Sequence, residues 1–385
     1  MKNKLISFPL CASLIASIHI SAMIPMKKNL SPIQNASKSL KPYLTKLINK
    51  EDLCGSETEK IWDLILEGEV SNEQIAGLLC LLKAKGETPQ ELSGCVKAMK
   101  KSALKINIEK PLLDIVGTGG DGANTVNIST MSAVVCSAAG ARVGKCGNRS
   151  SSSMCGSADV LEGLGLNVTM EPKMAKECFE RTGITFMFAP TYFPAMKNVG
   201  PVRKSLGIRS TFNIIGPLCN PAYSDRVVIG VYEENLLPLI AQTLIENGEI
   251  ESGMVIHGCG LDEISPIGPS KVLHVYNIGA KGEKRSYGVK EFVLEPLDFG
   301  IARCKVEDLV GGNREENVKS FTEILMEGPN ESAKRDSVIL NAGVGLYVYG
   351  LSSTLKEAFE LARNTIESGK ALKKLEEWIK ISQNL

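Results

Sequence analysis

Two glycine-centred segments stand close together in the chain, DIVGTGGDGANTVNIST from Asp114 to Thr130 and GKCGNRSSSSMCGSAD from Gly144 to Asp159. In the first, Gly117, Gly119, Gly120 and Gly122 permit positive φ angles and leave backbone N–H groups bare, while Thr125, Asn127, Ser129 and Thr130 add short hydroxyl and amide donors. In the second, Lys145, Asn148, Arg149 and the serines from Ser150 to Ser153 bring positive charge and further donors. A glycine and serine tract alone reads as a mobile linker. Two such tracts only a helix apart read as a cradle for a phosphorylated sugar.

Leu112, Leu113, Ile115 and Val116 make an apolar run of strand length that breaks at Gly117. Ser129 is placed to start a helix over Met131 to Ala139, whose N-terminal amides and dipole favour an anion. A second strand is expected to end near Val143, just before Lys145, and Val160, Leu161 and Leu164 continue as a helix on the sheet. Other phosphate motifs fail on detail. Gly117, Gly119 and Gly122 satisfy the dinucleotide spacing, but no acidic residue follows at about 20 positions to bind a ribose. Gly140 to Lys145 is one residue short of a P-loop and puts Cys146 where Ser or Thr would bind magnesium.

Asp262 and Glu263 follow a strand candidate ending at His257. Neighbouring strand residues face opposite sides, so two adjacent carboxylates serve one site more readily from a loop at the strand end. An isolated Asp-Glu pair is usually a solvated surface pair, but hard oxygen ligands beside a phosphate site suit magnesium. The stretch from Ala189 to Pro221 combines aromatic residues, prolines, Arg203 and Arg209. It reads either as a pocket for a planar acid, since guanidinium pairs bidentately with carboxylate, or as a proline-rich connection with surface arginines.

Together these four segments resemble the anthranilate phosphoribosyltransferase family, and the likeness spans roughly residues 38 to 375. The resemblance implies transfer of a phosphoribosyl group from 5-phosphoribosyl 1-pyrophosphate to anthranilate, a step of tryptophan biosynthesis. It implies that Gly117, Gly120, Asp121, Thr125, Asn127, Ile128, Ser129 and Thr130 hold the donor. Lys145, Cys146, Gly147, Asn148, Arg149, Ser150, Ser151, Ser152, Ser153 and Ser157 would complete its site. Ser129, Asp262 and Glu263 would bind two magnesium ions, and Gly117, Asn148 and Arg203 would contact anthranilate. Three places depart from the family by loss of histidine, Cys146, Phe193 and Asn198, all in or near the acceptor pocket; Arg209-Ser210-Thr211 also departs from its usual Arg-Thr pair. Acceptor identity is therefore more open than donor identity. Catalysis is expected to rest on positioning, with no side chain as general base or nucleophile. His257, one of only three histidines, more readily orders the metal loop.

Composition suits a protein with a large core, 385 residues of which 43% are hydrophobic and 23% charged. A net charge of +1 and 5% aromatic residues give no electrostatic case for nucleic acid as a partner. Eleven cysteines without C-x-x-C spacing fit free thiols in a reducing compartment. Met1 to Ala22 looks like a secretory leader, at odds with that chemistry. We read residues 1–35 as a leader or spurious extension and expect a cytoplasmic protein, or an organellar one if the leader is genuine.

Three capping boxes, Ser56 to Glu59, Ser71 to Gln74 and Thr88 to Glu91, predict successive helices in a small module, residues 36–106, onto which part of 190–221 packs. Its apolar faces suit a homodimer contact, as is common in the family. Residues 107–385 alternate strands and helices, predicting an α/β domain with a mostly parallel sheet of the nucleoside phosphorylase and phosphoribosyltransferase type. The segment 279–293 is expected to be a hairpin or excursion at the sheet edge. No membrane contact is expected. Two other classes compete. A pyrimidine nucleoside phosphorylase would carry a different lysine-serine-glycine motif in place of 145–153, and a non-catalytic nucleic-acid-binding relative would lack the Asp262-Glu263 pair.

Overall fold

The computed structural model describes residues 38–150, 153–280, 282, 283, 285–329 and 331–385. The leader, and Ser151 and Ser152 of the serine run, lie outside the described residues.

Four helices open the described chain, α1 (Lys41–Ile48), α2 (Gly55–Leu66), α3 (Asn72–Lys85) and α4 (Pro89–Ser102). The Thr88 box forms as expected: Thr88 Oγ1 accepts the Glu91 N–H at 3.3 Å and Glu91 accepts the Thr88 N–H at 2.9 Å. The other two boxes need correction. Helix α2 begins before Ser56, with Cys54 as its N-cap and Glu57 accepting the Cys54 N–H at 3.0 Å. Ser71 does precede α3, but Gln74 Oε1 is taken by the Leu40 N–H at 2.6 Å, which ties α1 to α3 instead. Apolar faces then close the module, with Ile61, Trp62 and Ile65 of α2 buried beside Leu92, Cys95 and Val96 of α4.

The larger part alternates as expected: β1 (Leu113–Gly117), α5 (Ile128–Ala138), β2 (Val143–Gly147), α6 (Ser157–Gly163), α7 (Pro172–Thr182) and β3 (Ile184–Phe188). A crossing segment follows, with α8 (Ala189–Tyr192), α9 (Gly200–Leu206) and α10 (Phe212–Ile215). The chain then re-enters the sheet through β4 (Arg226–Gly230), α11 (Leu236–Asn247), β5 (Ser252–Gly258), β6 (Ser270–Asn277) and β7 (Tyr287–Leu294). Helices α12 (Arg314–Leu325), α13 (Ala333–Tyr349), α14 (Leu355–Glu367) and α15 (Lys370–Gln383) complete it.

The sheet runs β3-β2-β1-β4-β5-β6-β7, parallel from β3 to β5 and antiparallel beyond. The β6–β7 pair supplies the hairpin expected near 279–293. From β1 the chain builds outward through β2 and β3, then crosses back to lay β4 on the other flank of β1. That reversal opens a crevice beyond the carboxyl ends of β1 and β4, the usual ligand position in open α/β sheets. One correction concerns Lys145. It lies inside β2 rather than after it, because its buried ammonium finds an acceptor in the Ile115 carbonyl at 2.7 Å.

The crossing segment returns to the helical module. Helix α9 packs on α3, the Phe212 ring meets Trp62 edge-on at 4.9 Å, and Asn198 Nδ2 donates to the Leu66 carbonyl at 2.8 Å. A second seam joins α4 to α11, where Ser93 bonds Asn247 at 2.8 Å and Lys100 pairs with Glu249.

Candidate active site

Adjacent strands end in glycine for one reason. Gly117 of β1 and Gly230 of β4 are register partners, and the Asp262-Glu263 loop lies directly on them. A Cβ at Gly117 would sit 2.1 Å from Asp262 Oδ2, one at Gly230 1.4 Å from the Asp262 carbonyl oxygen, and one at Gly258 2.1 Å from the Glu263 carbonyl oxygen. Only a glycine floor lets this loop reach the strand ends. Gly119, Gly120 and Gly122 hold φ of +66°, +83° and +79°, which turns the first loop upward so that Gly119 N–H donates to Asp262 Oδ2 at 2.5 Å.

The result is a cluster that the sequence pairing of Asp262 with Glu263 showed only in part. Carboxylate oxygens of Asp121, Asp262 and Glu263 lie within 4.8 Å of one another. Burial first, and then the charge of Asp121, push the Asp262 carboxyl above the usual range, and burial followed by the charges of Asp262 and Asp121 does the same to Glu263. Glu263 Oε2 is buried without a hydrogen-bond partner. Three crowded carboxylates with an orphaned oxygen are a donor set that hard divalent cations such as magnesium satisfy. Lys145 is the neighbouring cation, also buried; burial lowers its pKa while Asp114 and Glu263 act the other way. Its ammonium lies 3.4 Å from Ser129 Oγ in the first turn of α5.

The second loop converges on the first. Asn127, the N-cap of α5, donates through Nδ2 to the Cys155 carbonyl at 3.0 Å, stitching the glycine loop to the serine loop. The serine loop closes on itself where Ala158 N–H and Ser157 Oγ both reach the Asn148 carbonyl, at 3.1 and 3.2 Å. The Arg149 guanidinium pairs with Asp159 at 3.1 Å and with both oxygens of Glu162 at 2.9 and 3.0 Å. Thr125 forms a bridge with Val310, so the segment after β7 also walls the glycine loop, a contact no local motif signals.

On the crossing segment, Arg203 stacks over the Phe212 ring at 4.9 Å, and no carboxylate pairs with it among the described residues. Burial alone lowers its pKa. Such a half-buried, unpaired guanidinium is suited to a carboxylate. Arg209, named in the sequence only as part of a motif, reaches farther. Its guanidinium donates to the Gly120 carbonyl, lies 4.3 Å from the Tyr232 ring centre and stands 3.8 Å from Glu233. It ties the crossing segment to the glycine loop. The three places of histidine loss now have surroundings: Cys146 and Phe193 are buried, burial drives the Cys146 thiol strongly upward, and Asn198 is spent on the Leu66 carbonyl. His257 hydrogen-bonds through Nδ1 to the Val231 carbonyl at 2.8 Å and accepts the Gly260 N–H at 3.3 Å, a loop-ordering arrangement.

Comparison with known proteins agrees with this geometry. Residues 109–372 match the family model of the glycosyl transferase family a/b domain, and residues 41–103 match that family's helical bundle domain. The chain is 42% identical over 350 residues to anthranilate phosphoribosyltransferase of Chlamydia felis, covering 90% of this chain and 97% of the relative. The crystal structure of anthranilate phosphoribosyltransferase from Thermus thermophilus is similar with a TM-score of 0.81 and 38% identity, over 88% of this chain and 99% of that one. The enzyme from Saccharomyces cerevisiae in complex with PRPP and Mg is similar with a TM-score of 0.79 and 27% identity, over 90% and 98%. By sequence, architecture and the glycine-floored carboxylate cluster, the chain belongs to the anthranilate phosphoribosyltransferase family.

Proposed function

We propose that this cleft transfers the phosphoribosyl group of PRPP to anthranilate, giving N-(5-phosphoribosyl)anthranilate and pyrophosphate in tryptophan biosynthesis. The observation that carries the reading is the stitching, by Asn127 and the Cys155 carbonyl, of the serine loop to the glycine loop whose Asp121 joins Asp262 and Glu263 in one carboxylate cluster. The amides of Gly120, Asp121 and Gly122, the hydroxyls of Ser129 and Thr130, and the 145–153 segment with Ser157 hold the donor. Asp262, Glu263, Asp121 and Ser129 would hold two magnesium ions, and magnesium bound there would supply positive charge for the pyrophosphate leaving group.

The aniline nitrogen is neutral at pH 7 and carries its lone pair, so no side chain need activate it. Its lone pair forms the bond to the anomeric carbon, the C–O bond electrons leave with pyrophosphate, and the amine proton passes to solvent. The chain contributes alignment of the two partners and fixed donors around the leaving group. Arg203 pairs with the acceptor carboxylate and, with Gly117 and Asn148, fixes its ring. With Cys146, Phe193 and Asn198 at the histidine places, the acceptor pocket relies on shape and apolar contact there, which widens the range of aromatic amines it accepts.

Two copies pair through the helical module, where a groove between α3 and α9 combines Ala76, Pro201, Val202 and Leu206 with the polar Asn72, Glu73 and Ser205. Among the described residues no helix is long and apolar enough to cross a membrane, and the use of PRPP supports a cytoplasmic location. The test is direct. Protein mixed with PRPP, magnesium and anthranilate should consume the anthranilate fluorescence with stoichiometric pyrophosphate release. Fluorescence that persists with anthranilate but falls with another aromatic amine would revise the acceptor, and no turnover with any would refute the reading.

A further inference from the structure

One carboxylate closes the serine loop. Asp159 is the third residue of α6, and its Oδ2 accepts the Gly156 N–H at 2.9 Å, as an acidic residue at that helix position commonly does. The same oxygen also accepts the Ser150 N–H at 3.0 Å, from the opposite side of the loop. The two strands of chain touch there: a Cβ on Gly156 would sit 2.3 Å from the Ser150 nitrogen. Among the described residues the other oxygen, Oδ1, takes only Arg149 Nη1, at 3.1 Å, and Arg149 is otherwise clasped by Glu162. Burial would raise the Asp159 carboxyl, but the two amides and Arg149 outweigh it and hold it below the usual carboxylate range.

An acidic side chain beside an anion-binding loop is unfavourable unless its charge is consumed by the loop itself. Here three donors consume it, and the loop gains a fixed mouth in return. We propose that Asp159 is a positioning residue that holds Ser150 against Gly156 for the phosphoribosyl donor before the donor arrives, through their two amides and without touching the donor. This rests on the assignment of that loop to the donor under the proposed function. Without Asp159 the residues Ser150 and Gly156 must be fixed at the expense of donor binding, which weakens the donor about thirtyfold or more for two residues ordered.

Because both amides converge on one oxygen, Asp159→Asn retains both bonds and loses only the Arg149 partner, whereas Asp159→Ala loses all three. In steady-state kinetics and in calorimetric titration with PRPP and magnesium, Asp159→Ala should raise the donor KM and Kd at least about tenfold. Its kcat and acceptor KM should stay within about threefold of wild type, and Asp159→Asn should restore the donor KM. Glu162→Gln, which frees Arg149 and leaves both amide bonds, should leave the donor KM unchanged. An unchanged donor Kd in Asp159→Ala overturns the proposal. So does equal damage in Asp159→Asn, or a comparable loss in Glu162→Gln, because either would locate the effect in Arg149. Should Asp159→Ala fail to fold, hydrogen exchange on the donor-free wild type decides. The Ser150 and Gly156 amides must then exchange at least about tenfold more slowly than unstructured amides; exchange at the unstructured rate overturns the proposal. A wild type that does not bind PRPP at all would instead refute the functional reading.

Discussion

Replacing Gly230 by alanine probes whether the strand-end glycines exist to seat the metal loop. The added Cβ would lie 1.4 Å from the Asp262 carbonyl oxygen, 2.4 Å from its carbon and 3.1 Å from its Cα. All three are backbone atoms, so no side-chain rotation relieves the overlap. The loop must retreat by about 2 Å or more to restore ordinary contact. Overpacking of this kind costs about 1–3 kcal/mol, which a protein of ordinary stability survives at 25 °C. Function is more sensitive, since a misplacement of about 1 Å in the positioning groups costs about a hundredfold in rate. We therefore expect Gly230→Ala to remain folded by circular dichroism, to lose at least about a hundredfold in kcat/KM by anthranilate fluorescence, and to need more magnesium for half-maximal rate. Gly216→Ala is the matched control, because its Cβ meets nothing within 4 Å. A folded Gly230→Ala protein with wild-type kcat/KM and magnesium midpoint would refute the reasoning.

Three further outcomes follow from the same geometry. Glu263 carries a raised pKa from burial first and then Asp262 and Asp121, so its charge opposes folding above the ordinary carboxylate range; Glu263→Gln should raise the magnesium-free Tm at pH 7.5 while abolishing magnesium-dependent turnover. Arg203→Ala should raise the acceptor KM about ten- to a hundredfold, the size of a lost charge-assisted carboxylate pair, with the donor KM unchanged, as initial rates varying each substrate would show. His274 is lowered to about 4 by burial first and then Lys290. The unfolded chain binds that proton near pH 6.5, so stability is full above about 6.5 and falls as pH drops toward 4. Partial exposure reduces the effect to about 1–2 kcal/mol, readable as a lower urea midpoint at pH 5 than at pH 7.5, and a His274→Gln variant should lose that part of the slope.

Much of this was legible because the signals are local. The apolar run ending at Gly117, the glycine loop after it and the Thr88–Glu91 box each involve residues a few positions apart, so spacing alone reports them. Where a residue's partner is distant, spacing misleads. Gln74 stands correctly for a capping box, yet its oxygen is claimed by the Leu40 N–H; Cys54 and Glu57 take the role that Ser56 and Glu59 imitate. The strand expected to end near Val143 runs on through Lys145, whose ammonium is accommodated by the Ile115 carbonyl on the neighbouring strand. Asp121 read as a donor ligand and joins the carboxylate cluster only because the turn at Gly119 and Gly120 brings it beside Asp262 and Glu263. Gly230 and Gly258 end their strands unremarkably in sequence; their meaning lies in the loop resting on them. Arg209 and Asp159 likewise acquire their roles through partners across the cleft and across a loop.

Two chain segments meeting around one activated ribose donor are the centre of the proposed chemistry. Calorimetric titration of PRPP into the magnesium-loaded protein tests this most directly. We predict saturable heat with one donor per chain, lost when magnesium is chelated and weakened by Asn127→Ala, which cuts the bond to the Cys155 carbonyl. Titration without saturable heat, or binding indifferent to both magnesium and Asn127, would contradict it.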